Sequence, residues 1–342
     1  SSPSSSSSSS TATLSFGPAP LRPAEAVSFS LSQPSSSSAC SPSSSSLFPS
    51  PFPPILVPST SPASSGHSGG WRDQPHHLSK EELWIQIRSE AKAAAKAEPA
   101  LASFMYATVL SHTSFERTMS FLLANKLGSP TMLSTQLMQL FRQVYDEDPG
   151  ITDAARADLH AVRDRDPACE SFAQAVLNFK GYQAIQSYRI AHALWSRGRK
   201  ALALALQSRI SEVFHVDIHP AARLGRGILI DHATGVVIGQ TAVVGDNVSM
   251  LHHVTLGGSG RSRGIRHPCV GNGALLGAGV TVLGPVSVGA GSKIGAGSVV
   301  VHDLPCFCVA VGVPARIVKR NLNSEPVRDM DQCCDFILDY VI

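Results

Sequence analysis

From residue 215 onward the chain repeats in sixes, and no other feature limits its fold as tightly. Ile218, Leu224, Ile230 and Val236 lie six apart, as do Ile238, Val244, Met250 and Leu256. A third register runs through Val270, Leu276, Val282, Val288, Ile294 and Val300. Glycine follows the apolar residue at positions 225, 239, 245, 271, 277, 289 and 295. A repeat of this length predicts a parallel β-helix, in which each short strand sends one aliphatic side chain inward. Glycines at a fixed offset suit tight corners where a side chain would be strained. The period alone does not give the handedness.

Two breaks interrupt the register. Two residues are added between Ile230 and Ile238, around Asp231-His232-Ala233-Thr234-Gly235. The separation of Leu256 from Val270 exceeds a multiple of six by two, and that gap holds the polar, Gly-rich run from Gly257 to His267. Insertions into a solenoid that otherwise keeps its period usually line one functional face. Aliphatic residues must fill the coil, so the polar residues at the breaks are the candidates for chemistry.

Residues 78–214 read as an all-helical domain ahead of the coil. Ser79 with Glu82 forms a capping box before Leu83, Ile85, Ile87 and Ala91. Thr113 with Glu116 gives a second, before Met119, Leu122, Leu123 and Leu127. Gly128-Ser129-Pro130 stops that helix, and the pattern resumes from Thr131 to Tyr145. Amphipathic stretches follow at Ala154–Val162 and Phe172–Trp195, the latter ending at Gly198. The fold class is therefore α+β, with a helical domain followed by a β-helix over 215–318.

Residues 1–70 differ from both domains. Serine fills 28 of these 70 positions, proline is frequent, and Arg22 and Glu25 are the charged side chains. So few aromatic and periodic apolar residues do not offset the entropy of ordering, and disorder is expected. A Ser-rich, acid-poor composition predicts a transit segment, and the scarcity of arginine favours a plastid over a mitochondrion; the alternatives are a mitochondrion or, with no transit function, the cytosol. A net charge of +3 over 342 residues gives no electrostatic footprint for nucleic acid. No apolar run approaches the length of a membrane-spanning helix. The seven cysteines include no C-x-x-C pair; Cys306 and Cys308 are one residue apart and Cys333 and Cys334 adjacent. These spacings suit neither a zinc site nor an easy local disulfide, so reduced thiols and no metal are expected.

Among the candidates His232 stands out, because it sits in a register break beside Asp231, with Asp217 fifteen residues upstream. A carboxylate holding one imidazole nitrogen leaves the other as a base. The alternative is a solvated loop imidazole. The spacing alone leaves both open.

The run Asp217-Ile218-His219-Pro220-Ala221-Ala222, then Gly225-Arg226-Gly227 and Asp231-His232-Ala233-Thr234-Gly235, resembles the signature of serine acetyltransferases. So do Val254-Thr255-Leu256-Gly257-Gly258, Arg266-His267-Pro268 and Gly312-Val313-Pro314-Ala315-Arg316. The resemblance continues into the helices at Leu123–Leu127, Arg163-Asp164-Arg165-Asp166-Pro167 and Lys180-Gly181-Tyr182-Gln183-Ala184, and covers roughly 80–320. It implies a left-handed coil of three hexads per turn and transfer of acetyl from acetyl-CoA to the hydroxyl of L-serine. It implies His232 as general base, oriented by Asp217. It also implies that Asp166 and Asp231 take the amino group of serine and that Arg266 and His267 take its carboxylate. Acetyl-CoA, a co-substrate with no tightly bound cofactor beside it, would lie against Gly258, Ala278 and Ala296. The same resemblance implies a homotrimer with active sites between neighbouring coils, and pairing of two trimers through the helical domains. The tail, 319–342, ends Asp339-Tyr340-Val341-Ile342. In plant members of this family such an end docks into O-acetylserine (thiol) lyase, which implies partner binding through Ile342.

Three rival readings remain. A γ-type carbonic anhydrase uses the same coil and would draw on His252, His253 and His267 for zinc. A pure scaffold would keep the coil only for partner binding through Ile342. A related acyltransferase would use another hydroxyl or an amine as acceptor.

Overall fold

The computed structural model describes residues 78–260, 263–322 and 326–330. The Ser-rich segment and Ile342 lie outside the described residues.

Helix α1, Lys80–Ala97, opens with the expected capping box: Glu82 N donates to Ser79 Oγ at 3.2 Å and Ser79 N to Glu82 Oε2 at 2.8 Å. Leu83, Ile87 and Ala91 recur at the helical spacing and enter the core, whereas Ile85 faces away and is 66% exposed. A short α2, Ala102–Met105, runs into a π-turn over Tyr106–Leu110. The next helix, α3, Phe115–Leu127, is capped by Ser114 rather than by Thr113, which seats Phe115 in the core. Glu116, freed from a capping role, accepts hydrogen bonds from Lys80 and from Thr152 Oγ1 instead. Helices α4, Ser134–Glu147, and α5, Pro149–Arg165, follow.

The stretch expected as one helix over Phe172–Trp195 is two, α6, Phe172–Asn178, and α7, Lys180–Ser196, broken at an extended Phe179. Gln183 Nε2 takes up two carbonyls at the break, Val176 O and Leu177 O, both at 2.8 Å. The break also starts α7 against the coil: a Cβ on Gly181 would fall 1.9 Å from Ile230 O. Helix α8, Lys200–Phe214, completes the helical domain and packs on the first strand of the coil.

The coil is a left-handed parallel β-helix with three faces. Face A stacks β1 (Asp217–Ile218), β4 (Val237–Ile238), β7 (Thr255–Gly257), β10 (Thr281–Leu283) and β13 (Val299–Val300). Face B stacks β2 (Arg223–Leu224), β5 (Val243–Val244), β8 (Cys269–Val270) and β11 (Ser287–Val288). Face C stacks β3 (Leu229–Ile230), β6 (Ser249–Met250), β9 (Leu275–Leu276), β12 (Lys293–Ile294) and β14 (Val309–Gly312), and ends in β15 (Ala315–Lys319), which pairs antiparallel to β14. The aliphatics of the repeat lie in register, Ile218 on Ile238 on Leu256 on Val282 on Val300. Val236 is buried but precedes its strand, so the first break leaves Ile238 as the partner of Ile218. The second break is longer than its remainder suggests. Leu256 and Val270 occupy successive faces fourteen residues apart, where six suffice at an uninterrupted corner, so eight residues leave the coil.

Beyond the hairpin, α9, Pro326–Asp329, returns to the coil and Val327 packs on Leu251 and Leu275. The helical and coil cores are continuous. Their polar junction is Asp158 of α5, which accepts from Arg189 Nε and Nη2 at 2.8 Å, Gln186 Nε2 at 2.9 Å and Ile228 N at 2.9 Å. Arg189 of α7 also donates to Gly225 O at 2.7 Å, so the pair joins two helices to the first turn of the coil.

Candidate active site

Two corners of face A carry the residues singled out by the sequence, and they are different corners. Where face C turns into face A, the inserted residues His232 and Ala233 take left-handed backbone angles, φ 55° and 60°. Side chains rarely adopt these angles without support from the surroundings. Here Lys180, at the start of α7, donates to Thr234 Oγ1, and Gly235 N bonds at 2.8 Å to the carbonyl of His215, which ends α8. Gly181 closes against Ile230 O. The backbone is thus held while the imidazole reaches solvent: the His232 side chain is 75% exposed, with Nε2 3.9 Å from Asp231 Oδ1. Its ring lies edge-on to His252, centroids 5.8 Å apart, one coil further along.

Asp166, which ends α5, and Asp231 line one cavity of about 900 Å³ with His232, Lys180 and Met330. Arg165 secures the end of α5 to the coil by donating to Gly227 O, Ser249 Oγ and Asn247 Oδ1 at 3.0–3.2 Å. Burial raises the Asp231 carboxyl above its ordinary value; His232 opposes the shift and Asp166 reinforces it. Two carboxylates of this kind favour a cationic group between them.

Where face A turns into face B, the long loop returns Arg266 and His267 to the coil. Arg266 Nη2 donates to Gln240 Oε1 at 2.7 Å. His267 Nδ1 lies 2.8 Å from Thr241 Oγ1. Burial lowers the pKa of His267, and the Arg266 guanidinium and His219 lower it further. His219 is lowered as well, by burial and then Arg266, with Asp217 opposing. The surroundings of this corner are therefore cationic and rich in donors.

Asp217, on β1 between the corners, is not brought to His232. Among the described residues no hydrogen bond or ion pair joins them, and Asp217 Oδ1 accepts from Gln207 Nε2 at 2.6 Å. Ala278 and Ala296 continue the column above His232 and His252, and Gly297 N bonds to Ala278 O at 2.7 Å. Gly258 lies at the other corner, where a Cβ would come within 3.2 Å of Arg266 O and 3.3 Å of His267 Nε2. The small residues therefore split: two continue the column that begins at His232 and one makes room for the loop. The three histidines of the zinc reading split too, with His252 and His253 in ring contact at one corner and His267 at the other. Among the described residues no group of three His, Cys, Asp or Glu side chains is set to hold a metal.

Residues 83–187 match the model of the serine acetyltransferase N-terminal domain, which covers the helices that carry Asp166 and Lys180. Serine acetyltransferase 4 of Arabidopsis thaliana is 57% identical over 253 residues, 74% of this chain and 71% of that protein. The chain belongs to the serine acetyltransferase family. The Escherichia coli (strain K12) serine acetyltransferase is 49% identical over 258 residues, 75% of this chain and 94% of that protein. Among solved structures, soybean serine acetyltransferase complexed with serine is 58% identical with a TM-score of 0.69, covering 70% of this chain and 98% of that one. A serine acetyltransferase in complex with cysteine is 48% identical with a TM-score of 0.74, covering 75% of this chain and all of that one. Membership makes the chain an acyltransferase, and the helical domain excludes a bare hexapeptide coil as the whole likeness.

Several residues that build the corners carried no role in the sequence reading: Lys180, Thr241, Gln207 and, except as a metal ligand, His252. Lys180 lies in a run that matched the family, and that match was the available signal. Thr241 and Gln207 have none, because each acts through a partner in another turn or element.

Proposed function

We infer that this chain catalyses the reaction of its family, with the two corners of face A as halves of one acceptor site. It is a serine O-acetyltransferase, converting acetyl-CoA and L-serine to O-acetyl-L-serine and CoA, a step from serine towards cysteine. In the proposed chemistry His232 takes the hydroxyl proton of serine as the oxygen attacks the thioester carbonyl. The C–S bond breaks and His232 returns the proton to the CoA thiolate. Asp166 and Asp231 receive the ammonium of serine, and Arg266 and His267 its carboxylate. Asp217, with one oxygen engaged by Gln207, would orient the base through the other. Acetyl-CoA would run past Ala278 and Ala296 in the column of His232, as a co-substrate and without a tightly bound cofactor.

The observation that carries this reading is the separation of the charges: carboxylates and base lie at one corner, cation and neutral donors at the other. A zwitterion needs both, so the site is completed by a second copy that presents its opposite corner across face A. The outer side of face A suits such contact, with Val237, Leu283 and Val301 each 37% exposed. A closed ring of copies satisfies this geometry with equivalent contacts, in keeping with a trimer and, through the helices, a pair of trimers. Mixed assembly tests it. His232→Ala and Arg266→Ala chains, each impaired alone, should regain about a quarter of wild-type activity at low serine when co-assembled in equal amounts, because one shared site in four receives both intact halves. No recovery would refute the shared site.

Two further roles are proposed from composition and from the terminal sequence. The Ser-rich segment 1–70 would direct the chain to plastids, and a fluorescent fusion found in the cytosol would refute that. Ile342 would dock into O-acetylserine (thiol) lyase. Its removal should weaken that binding more than about 20-fold and leave acetylation intact.

A further inference from the structure

The corner of Arg266 and His267 contains a hydrogen-bond network that fixes where a proton resides. Thr241 N can only donate, and its acceptor is His267 Nδ1 at 3.2 Å. Thr241 Oγ1 receives two backbone donors, Arg266 N at 3.0 Å and His267 N at 3.1 Å. A hydroxyl has two acceptor lone pairs and one hydrogen. With both pairs occupied, the hydrogen is left for the remaining neighbour, His267 Nδ1 at 2.8 Å. Two donors thus converge on Nδ1, which must hold a lone pair, and the ring hydrogen resides on Nε2. An imidazolium would turn an N–H at Nδ1 against both donors, so the ring is held neutral. Burial and the Arg266 guanidinium act in the same direction. Glycines at 239 and 258 make room at the Nε2 side, where a Cβ would fall 2.0 Å and 3.3 Å from that nitrogen.

We propose that Thr241 is a positioning residue that holds His267 as a neutral Nε2–H donor beside Arg266, so that this corner presents donors alone to the carboxylate of the acceptor. The inference rests on the reading of Arg266 and His267 as the carboxylate half of the serine site. A receptor of this kind gains its specificity from what it lacks. It offers no acceptor to an uncharged or cationic group at that position, and it does not change its hydrogens as pH crosses the ordinary histidine range.

The test uses the assembled enzyme and steady-state kinetics in both substrates. Thr241→Val keeps the shape and the backbone N–H but removes the hydroxyl; Thr241→Ser keeps the hydroxyl. The valine variant should raise KM for serine about three- to tenfold, the size of one lost hydrogen bond. Its KM should also become pH-dependent around the ordinary histidine pKa of about 6.5, whereas the serine variant should match wild type in both respects. A tautomer readout separates positioning from general loosening of the loop. Glutamine sets its N–H where Nε2 lies and asparagine where Nδ1 lies, so His267→Gln should keep more serine affinity than His267→Asn. If His267→Ala leaves KM for serine unchanged, the underlying site reading fails. If His267→Ala raises KM while Thr241→Val does not, or Thr241→Ser is as damaged as Thr241→Val, or asparagine outperforms glutamine, the positioning role is overturned.

Discussion

Replacing Asp158 by alanine should be the most damaging single change outside the proposed site. The carboxylate is fully buried and accepts four hydrogen bonds, two from Arg189 and one each from Gln186 and Ile228. Truncation leaves Arg189, itself 8% exposed, with its charge and Gly225 O as remaining partner. Breaking a buried ion pair from one side typically costs about 3–5 kcal/mol, because the stranded charge keeps its desolvation penalty. Against a total of roughly 5–15 kcal/mol for a folded protein, that is a large share. In a unit of this size it should lower the thermal midpoint by about 10 °C. The assay is calorimetric melting at fixed protomer concentration, since assembly contributes to the midpoint. The paired change Asp158→Leu with Arg189→Met removes both charges and should recover at least half of the loss. A single variant within about 1 kcal/mol of wild type would refute the reasoning, and so would a double variant no better than the single.

His232→Ala should reduce turnover about 10²–10⁴-fold with little change in melting, since the side chain is largely exposed; turnover within a factor of two would remove it as the base. Gly181→Ala drives a methyl onto Ile230 O and should cost about 1–3 kcal/mol, read by melting, and should lower activity as the His232 corner shifts. Asp231→Asn should melt higher than wild type at neutral pH while raising KM for serine. The sign follows from the raised carboxyl: below its unfolded pKa the group costs nothing, and stability is lost as pH rises towards the folded value, so the advantage of asparagine should vanish in acid. Equal midpoints at all pH values would contradict it.

The repeat was legible because each turn of the coil asks the same thing of the sequence, one aliphatic per hexad. Spacing reported the two breaks but not their corners. The remainder of two between Leu256 and Val270 concealed eight extra residues, and the loop emerged on the far side of face A from His232. In the helical domain, boundaries set by tertiary contact escaped notice. Phe179 carries no breaker, and α7 restarts there because Gly181 meets the coil and Gln183 takes the freed carbonyls. The orientation of His232 by Asp217, which the family resemblance implies and the fifteen-residue spacing leaves open, is not made as a hydrogen bond among the described residues, where Asp217 Oδ1 accepts from Gln207 of α8. Side-chain partners drawn from distant elements leave no periodic trace, so Thr241 and Gln207 had none to read.

The antiparallel strand β15 has a consequence for what the coil does not become. A stack of parallel strands in register offers each newcomer the same template as the last, and such a ladder lengthens without an intrinsic limit. Here one end is plugged by α8 against β1, and on face C the chain turns back on itself at Gly312, pairing Val309–Gly312 with Ala315–Lys319 in the opposite sense. A reversed strand presents the wrong polarity for another parallel rung. The hairpin is a terminator, and it keeps a shape built for endless growth to the length of one molecule.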